Sequence, residues 1–530
     1  MKRYIYGLTL ASALTLGMTS CSSFLDEPLR GTQDKENYFV SETECAKQIT
    51  GCYQALAYDD WWQIYKFYVC GDMCTDDEWM GNTTQDPGEY RDLAHYTGNT
   101  INAGNCAQNF WQYRYKGILQ CNIAIEEIPK VSMDSTLQKR YIAEAKALRG
   151  FYYFDLVKNF GGVPLVLGLK MPSEVEGITR ATKEETYAQI EQDLLDAIDV
   201  LPKRSEYAES DMGRFTKGAA QGLLGKVYLY QEKYEKAKEQ LEAVVNSNEY
   251  ELLDDFSKVW NMDYNNSSEG LLEIQTNSTL TYNLGERISV VVGSRDDSGW
   301  SWGLPTSNLE KAFENAGDYV RLKYTIIKDG ATEVPGDPTW NEDNPYVITP
   351  SKHKSARCNM KLYIPMDKRP STYDAPHIPL NYRLLRYADV LLMLAEVDNQ
   401  LGKDDEAKKY LNMVRNRVHL QNVTSTGTDL RDAIRLERRL ELALENNRLY
   451  DLRRWKDDNG KYAIQNVMGP NGTFVKYNLE ENTDKYELEN EKEATNKGYY
   501  FKEGRDELFP IPNSEVTMSN GTIKQTPGYE

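Results

Sequence analysis

The chain has 530 residues, with 62 Lys+Arg against 81 Asp+Glu, a formal charge of -19 and a hydrophobic fraction of 40%. That apolar content supports a substantial core and excludes a disordered chain. The acidic excess argues against sequence-independent binding to DNA or RNA, which depends on Lys and Arg neutralising phosphates, and against adsorption to an anionic lipid surface.

Residues 1–20 read as a secretory signal, with Lys2 and Arg3 as the charged start and Tyr4 to Met18 as a short apolar stretch. Thr19 and Ser20 then precede Cys21, the pattern that ends a bacterial lipoprotein signal, so Cys21 is the expected lipidation site. Removing Lys2 and Arg3 takes the charge from -19 to -21. Seven cysteines remain, Cys45, Cys52, Cys70, Cys74, Cys106, Cys121 and Cys358, an odd number that leaves at least one thiol unpaired. The only imidazole near Cys70 and Cys74 is His95, and the other histidines are scattered, so no metal or cofactor is assigned, and buried thiols or disulfides are expected.

From Cys106 to Leu252 apolar residues recur at the helical spacing. Tyr141 to Phe160 reads as one helix, closed by Gly161 and Gly162 and followed by an extended Val163 to Leu167. Thr182 with Glu185 forms a capping box that opens the next helix, which stops by Pro202. Leu224, Gly225, Tyr228, Tyr234, Ala237, Leu241 and Val244 match the tetratricopeptide pattern, although Gln221 stands where Trp is usual. Leu394, Ala395, Ala407, Leu411 and Val414 form a second match, with Gly402 in the turn. In both, the small residues allow two antiparallel helices to approach closely. Between the hairpins, residues 254–380 are rich in Asn, Ser, Gly, Pro and isolated aromatics, and 456–505 form a second polar insertion. Long irregular segments inside a compact chain are usually functional or disordered, and Trp300, Trp302, Trp340 and Tyr346 argue against disorder here. Arg438, Arg439, Glu441, Glu445, Arg448 and Asp451 fall at spacings that permit pairs three and four residues apart, and read as an ion-pair network. Arg149, Arg386 and the aromatics from Phe151 to Phe154 likewise read as scaffold.

Several separated motifs together resemble the SusD/RagB family of outer-membrane nutrient-binding lipoproteins of Bacteroidetes. They begin at Cys21 with Phe24-Leu25-Asp26, and continue through residues 143–153 and Asn159-Phe160-Gly161-Gly162-Val163-Pro164-Leu165. Residues 383–396, Val414-Arg415-Asn416-Arg417, Glu437-Arg438-Arg439 and Arg454-Trp455 follow, and the chain closes on Leu508-Phe509-Pro510-Ile511-Pro512 and residues 525–529. Ser519-Asn520-Gly521 and Thr526 depart from the usual pattern near the end. The resemblance implies a mostly α fold, a tetratricopeptide-like superhelix with long irregular loops and minor β structure. It implies a signal at 1–20, an N-terminal helical region at 21–260 and a C-terminal region at 261–530 carrying ligand-binding loops. It further implies a binder and not an enzyme, held by lipid on the outer face of the outer membrane, which captures glycan and delivers it to a TonB-dependent SusC-like transporter. A RagB-type oligopeptide binder on the same scaffold is the alternative.

Sugars present apolar C–H faces ringed by hydroxyls, so a glycan site calls for flat aromatics beside polar side chains. Two segments combine them. Trp62, Asp72, Asp77, Trp79 and Asn82 come from the first; Tyr282, Arg295, Asp296, Trp300 and Trp302 come from the second. Trp79, Trp300 and Trp302 are the leading candidates. Paired carboxylates such as Asp76 and Asp77 arise by composition alone in so acidic a chain, and no nucleophile elbow, P-loop or HExxH motif is present.

Overall fold

The computed structural model describes residues 39–57, 64–81, 88–98, 100–281, 285–349, 355–371, 373, 377–481 and 497–530. Its main helices are α1 (Glu42–Gln54), α2 (Thr100–Glu127), α3 (Ser135–Phe160), α4 (Lys183–Ile198), α5 (Lys217–Leu229), α6 (Tyr234–Asn246), α7 (Tyr387–Gln400), α8 (Asp404–Arg417), α9 (Gly427–Glu441) and α10 (Arg448–Arg454). Each packs on the next in an almost unbroken series: α1 on α2, α2 on α3, α3 on α4, α4 on α5, α5 on α6, α6 on α7, α7 on α8, and α9 against both α7 and α8. This is the stacking of helical hairpins that the two tetratricopeptide matches predict. Among the described residues, six short strands, β1 (Glu78–Trp79), β2 (Gly270–Ile274), β3 (Leu304–Pro305), β4 (Ile326–Lys328), β5 (Arg357–Asn359) and β6 (Tyr382–Arg386), pair two by two. All three pairs are antiparallel.

Local sequence explains the helix ends. Helix α3 begins at Ser135, earlier than the apolar period suggests, because the Asp134 carboxylate accepts the backbone N–H groups of Thr136 and Leu137 at 3.0 and 2.8 Å. It ends at Gly161, whose φ of 74° is open to glycine at little cost. The capping box at α4 forms as expected: Thr182 Oγ1 accepts from Glu185 N at 3.1 Å, and Glu185 Oε2 accepts from Thr182 N at 2.8 Å. Between α5 and α6, a Cβ on Gly225 would lie 2.5 Å from Leu241, so the close approach of this hairpin requires glycine. Ala395 and Ala407 are fully buried where α7 meets α8.

The two hairpins α5–α6 and α7–α8 are neighbours in space although residues 247–386 intervene in sequence. The inserted segment is attached to the frame by buried charge. Arg386, at the end of β6, meets Glu269 at 2.8 Å, Glu441 at 2.6 Å and Glu445 at 2.9 Å. Arg417 also pairs with Glu269 and Glu441, Arg321 with Asp318, Glu437 and Glu441, and Lys361 with Glu445. Burial opposes ionisation of Glu441, but Arg417, Arg386 and Arg321 outweigh it and hold the carboxyl well below the usual range. A second cluster joins α5, α7, α9 and α10: Lys226 and Arg438 both reach Asp389 at 2.9 Å, and Arg438 reaches Asp451 at 3.1 Å. The network expected from sequence is present, but its pairs are mostly between elements. Helical spacing places the charges on one face, and distant segments supply the counter-ions. Arg149 makes a two-pronged pair with Asp193 at 2.7 and 2.8 Å and donates to Asn122 at 2.8 Å, which ties α2, α3 and α4 together.

The seven described cysteines are buried free thiols, with no disulfide among them. Cys21 lies outside the described residues. Among the described residues no helix is long and apolar enough to cross a membrane. The chain's last motif docks on an early one: Phe509 N donates to Asn159 O at 2.8 Å, and the Phe509 ring packs 5.1 Å from Phe67.

Candidate functional site

The segment from Ser294 to Gly303 is a tight excursion folded back on the short helix Ile288–Val292. Trp300 N donates to Val290 O at 2.8 Å, Ser301 N to Gly293 O at 2.8 Å and Trp302 N to Val291 O at 2.9 Å. Ser298 and Ser301 hold left-handed backbones, φ 65° and 60°, which non-glycine residues adopt at a cost. Ser301 is buried, and its Oγ accepts the Arg295 N–H at 2.9 Å, which fixes the turn. Asp296 clamps the loop from outside, accepting from Thr349 N at 2.6 Å and Thr349 Oγ1 at 3.0 Å. Arg369 grips Asp297 with two N–H groups at 2.5 and 2.6 Å.

This loop presents Trp300 partly exposed, with Trp302 fully buried behind it at 6.2 Å between ring centres. Tyr65 meets Trp300 edge to face at 6.1 Å, the Arg287 guanidinium lies over the indole at 5.0 Å and Lys66 Nζ at 5.9 Å. Tyr90 backs Trp302 at 5.4 Å. The short helix Ile64–Tyr68, which follows the Trp61-Trp62 pair in sequence, and Arg287, five positions after Tyr282, therefore converge on one indole. Next along the chain from Arg287, Gly285 and Glu286 line a cleft of about 510 Å³ with Tyr53, Gln54, Gln275 and Tyr382. Tyr382 meets Tyr68 of the same short helix edge to face at 5.4 Å, which ties a wall of the cleft to the helix that meets Trp300. Burial pushes the Glu286 carboxyl up to about 7, against hydrogen bonds from Ser289.

The first candidate segment is placed differently. Trp79 is wholly buried, 5.8 Å from Phe474 and under the Lys497 ammonium at 5.6 Å. Asp77 is buried against Arg439 at 2.6 Å, and its neighbour Asp76 against Arg448 at 2.9 Å. Asp72 accepts the backbone N–H groups of Asn446 and Arg448 at 2.8 and 3.1 Å. Burial and then the charge of Asp77 push the Asp72 carboxyl up to about 8. The expectation that Asp72, Asp77, Trp79 and Trp302 offer themselves to ligand is thus corrected by their burial, since their surfaces are already taken by protein. Trp300 and Arg295 are partly exposed, and Asp296 is a loop clamp. Trp62, Asn82 and Tyr282 lie outside the described residues.

Sequence reasoning missed Tyr65, Lys66 and Arg287. Their signal was proximity: each lies within five residues of an aromatic already singled out. The resulting arrangement, a partly exposed indole with cationic N–H donors against it and a cleft nearby, suits a ligand with apolar faces and hydroxyl edges.

The comparisons agree with this architecture. The SusD family model matches residues 258–529, and a second, described as starch-binding associating with outer membrane, matches residues 23–229. A SusD-like protein of Formosa agariphila is 25% identical over 551 residues, spanning 97% of this chain and 98% of its own length. A second SusD-like protein of that organism is 27% identical over 503 residues, spanning 87% of this chain and 92% of its own. The solved structure of a laminarin-binding SusD-like protein superposes with a TM-score of 0.72 at 28% identity, covering 93% of this chain and all of the other. With both family models aligned along a helical-hairpin frame, the chain belongs to the SusD family.

Proposed function

We propose that this protein is a cell-surface glycan-binding lipoprotein without catalytic activity, anchored through Cys21 in the outer membrane, which hands oligosaccharide to a TonB-dependent SusC-like transporter. The carrying observation is the Trp300 platform, where the short helix Ile64–Tyr68 and Arg287 meet one partly exposed indole more than 200 residues along the chain from that helix. A sugar ring would lay its C–H face on Trp300 while Arg287 and Lys66 donate to its hydroxyls. The adjoining cleft of about 510 Å³ lies within the usual range for ligand pockets and has room for further units of a chain. The laminarin-binding relative at 28% identity supports glycan as the ligand class and makes a β-glucan a sensible first probe.

Affinity electrophoresis of the purified protein against laminarin and a panel of other polysaccharides tests the reading. Retardation by at least one glycan, lost in W300A, is the expected result. Absence of retardation across the panel, with peptides co-purifying instead, would move the ligand to the oligopeptide class.

A further inference from the structure

A second concave site is built on the helical frame from residues that the Trp300 platform does not use. It has a volume of about 320 Å³ and lies where the α5–α6 turn, the end of α7, one face of α9 and the residues after α10 meet the first residue of α4. Six cationic side chains line it, Lys183, Arg431, Arg435, Arg453, Arg454 and Lys456, against three carboxylates. This reverses the balance of a chain with 81 acidic and 62 basic residues.

Some of these cations are already paired. Arg454 holds Glu396 at 2.5 and 2.7 Å, and Lys456 holds Glu232 at 2.7 Å. Arg435 is not paired in this way. Its guanidinium lies 5.2 Å over Trp455 and donates from Nη2 to the Lys456 carbonyl at 2.9 Å, and no carboxylate of the described residues reaches it at ion-pair distance. Lys183, exposed at the start of α4, likewise has no carboxylate partner among the described residues. Structural arginines of this protein behave otherwise: Arg321, Arg386 and Arg438 each meet at least two carboxylates. A guanidinium with donors to spare in a concave site is a fork for a planar or tetrahedral oxyanion. Tyr230, Tyr234 and Tyr462 add aromatic lining, and the volume exceeds what an inorganic anion needs.

We propose that this pocket binds an oxyanion carried on a sugar of one or two rings, a uronate carboxylate or a sulfate ester, with Arg435 as the fork and Lys183 as the second cation. The inference does not depend on glycan binding at Trp300.

Isothermal titration of the purified protein at low ionic strength tests it, using digalacturonate, galactose 6-sulfate, their neutral counterparts and sodium sulfate as probes. At least one acidic sugar should bind, the neutral sugars at least tenfold more weakly, with affinity falling as salt is raised. R435Q should weaken acidic-sugar binding at least tenfold and K183Q several-fold, while W300A leaves it unchanged. Should R435Q fail to fold, as judged by circular dichroism, the exposed K183Q carries the test. Equal binding of neutral sugars, indifference to both substitutions, loss in W300A, or sodium sulfate binding as tightly as the sugar-borne anions would each overturn the proposal.

Discussion

Two segments of this protein read alike in sequence and have opposite fates. Residues 72–79 and 295–302 both pair acidic side chains with tryptophan. In the first, Arg439 and Arg448 neutralise Asp77 and Asp76 from more than 360 positions away, and Trp79 closes under Phe474 and Lys497. In the second, Asp296 and Asp297 are used to clamp a strained loop whose tip leaves Trp300 partly exposed. Both segments find arginine counter-ions, since Arg369 also meets Asp297, so the difference lies in what the pairing does: Arg439 and Arg448 close over the first segment, whereas Asp296 and Asp297 brace a turn that leaves Trp300 partly exposed.

Substitutions along the two segments test this contrast. W79A should have the largest effect, a loss of about 3–5 kcal/mol in chemical denaturation, as expected for a large buried aromatic. Unchanged stability with lost glycan retention would reverse the roles assigned to Trp79 and Trp300. R448A should cost about 3 kcal/mol, because it removes one of the two arginines that hold the buried Asp76. There burial favours the neutral acid, but Arg439 and Arg448 outweigh it and hold the Asp76 carboxyl below its ordinary range.

Asp72 sharpens the comparison through pH. Its native carboxyl stays protonated up to about 8, whereas in the unfolded chain it ionises near 4, so the native state binds the extra proton between those values. Its contribution to stability is complete below about pH 4 and is lost as pH rises to about 8. D72N cannot titrate, and the stability gap between it and the wild type should therefore shift in favour of the variant by about 1 kcal/mol or more between pH 5 and 8. A parallel pH dependence of the two proteins in denaturant melts would show that Asp72 is solvated. The smallest stability effect belongs to W300A, under about 1 kcal/mol in the same melts, since its ring is partly exposed. A larger loss would place Trp300 with Trp79 as core.

The helical frame was legible because its rules are local. Gly225 and Ala237 sit where their hairpin requires close approach, and Thr182 with Glu185 closes the cap that their spacing announces. The early start of α3 at Ser135 was missed because its signal is a single side chain, Asp134, and not a period. The site was legible only in part. Trp300 reads from the sequence as an aromatic on a polar loop and is partly exposed, but composition does not distinguish it from Trp302, two residues on, which is buried. Arg287 and Lys66 carry only the weak signal of lying within five residues of a candidate aromatic, since nothing local relates either to Trp300.

The sequence by itself determined the helical periods, the caps, the close-packed hairpins and the ordered motifs of the family, because each depends on residues within a few turns of one another. Tertiary structure alone decided which tryptophan is exposed, which carboxylates are matched by arginine, and that hairpins separated by residues 247–386 stack directly. Burial and charge pairing are properties of neighbours in space, and here the decisive neighbours lie hundreds of residues apart.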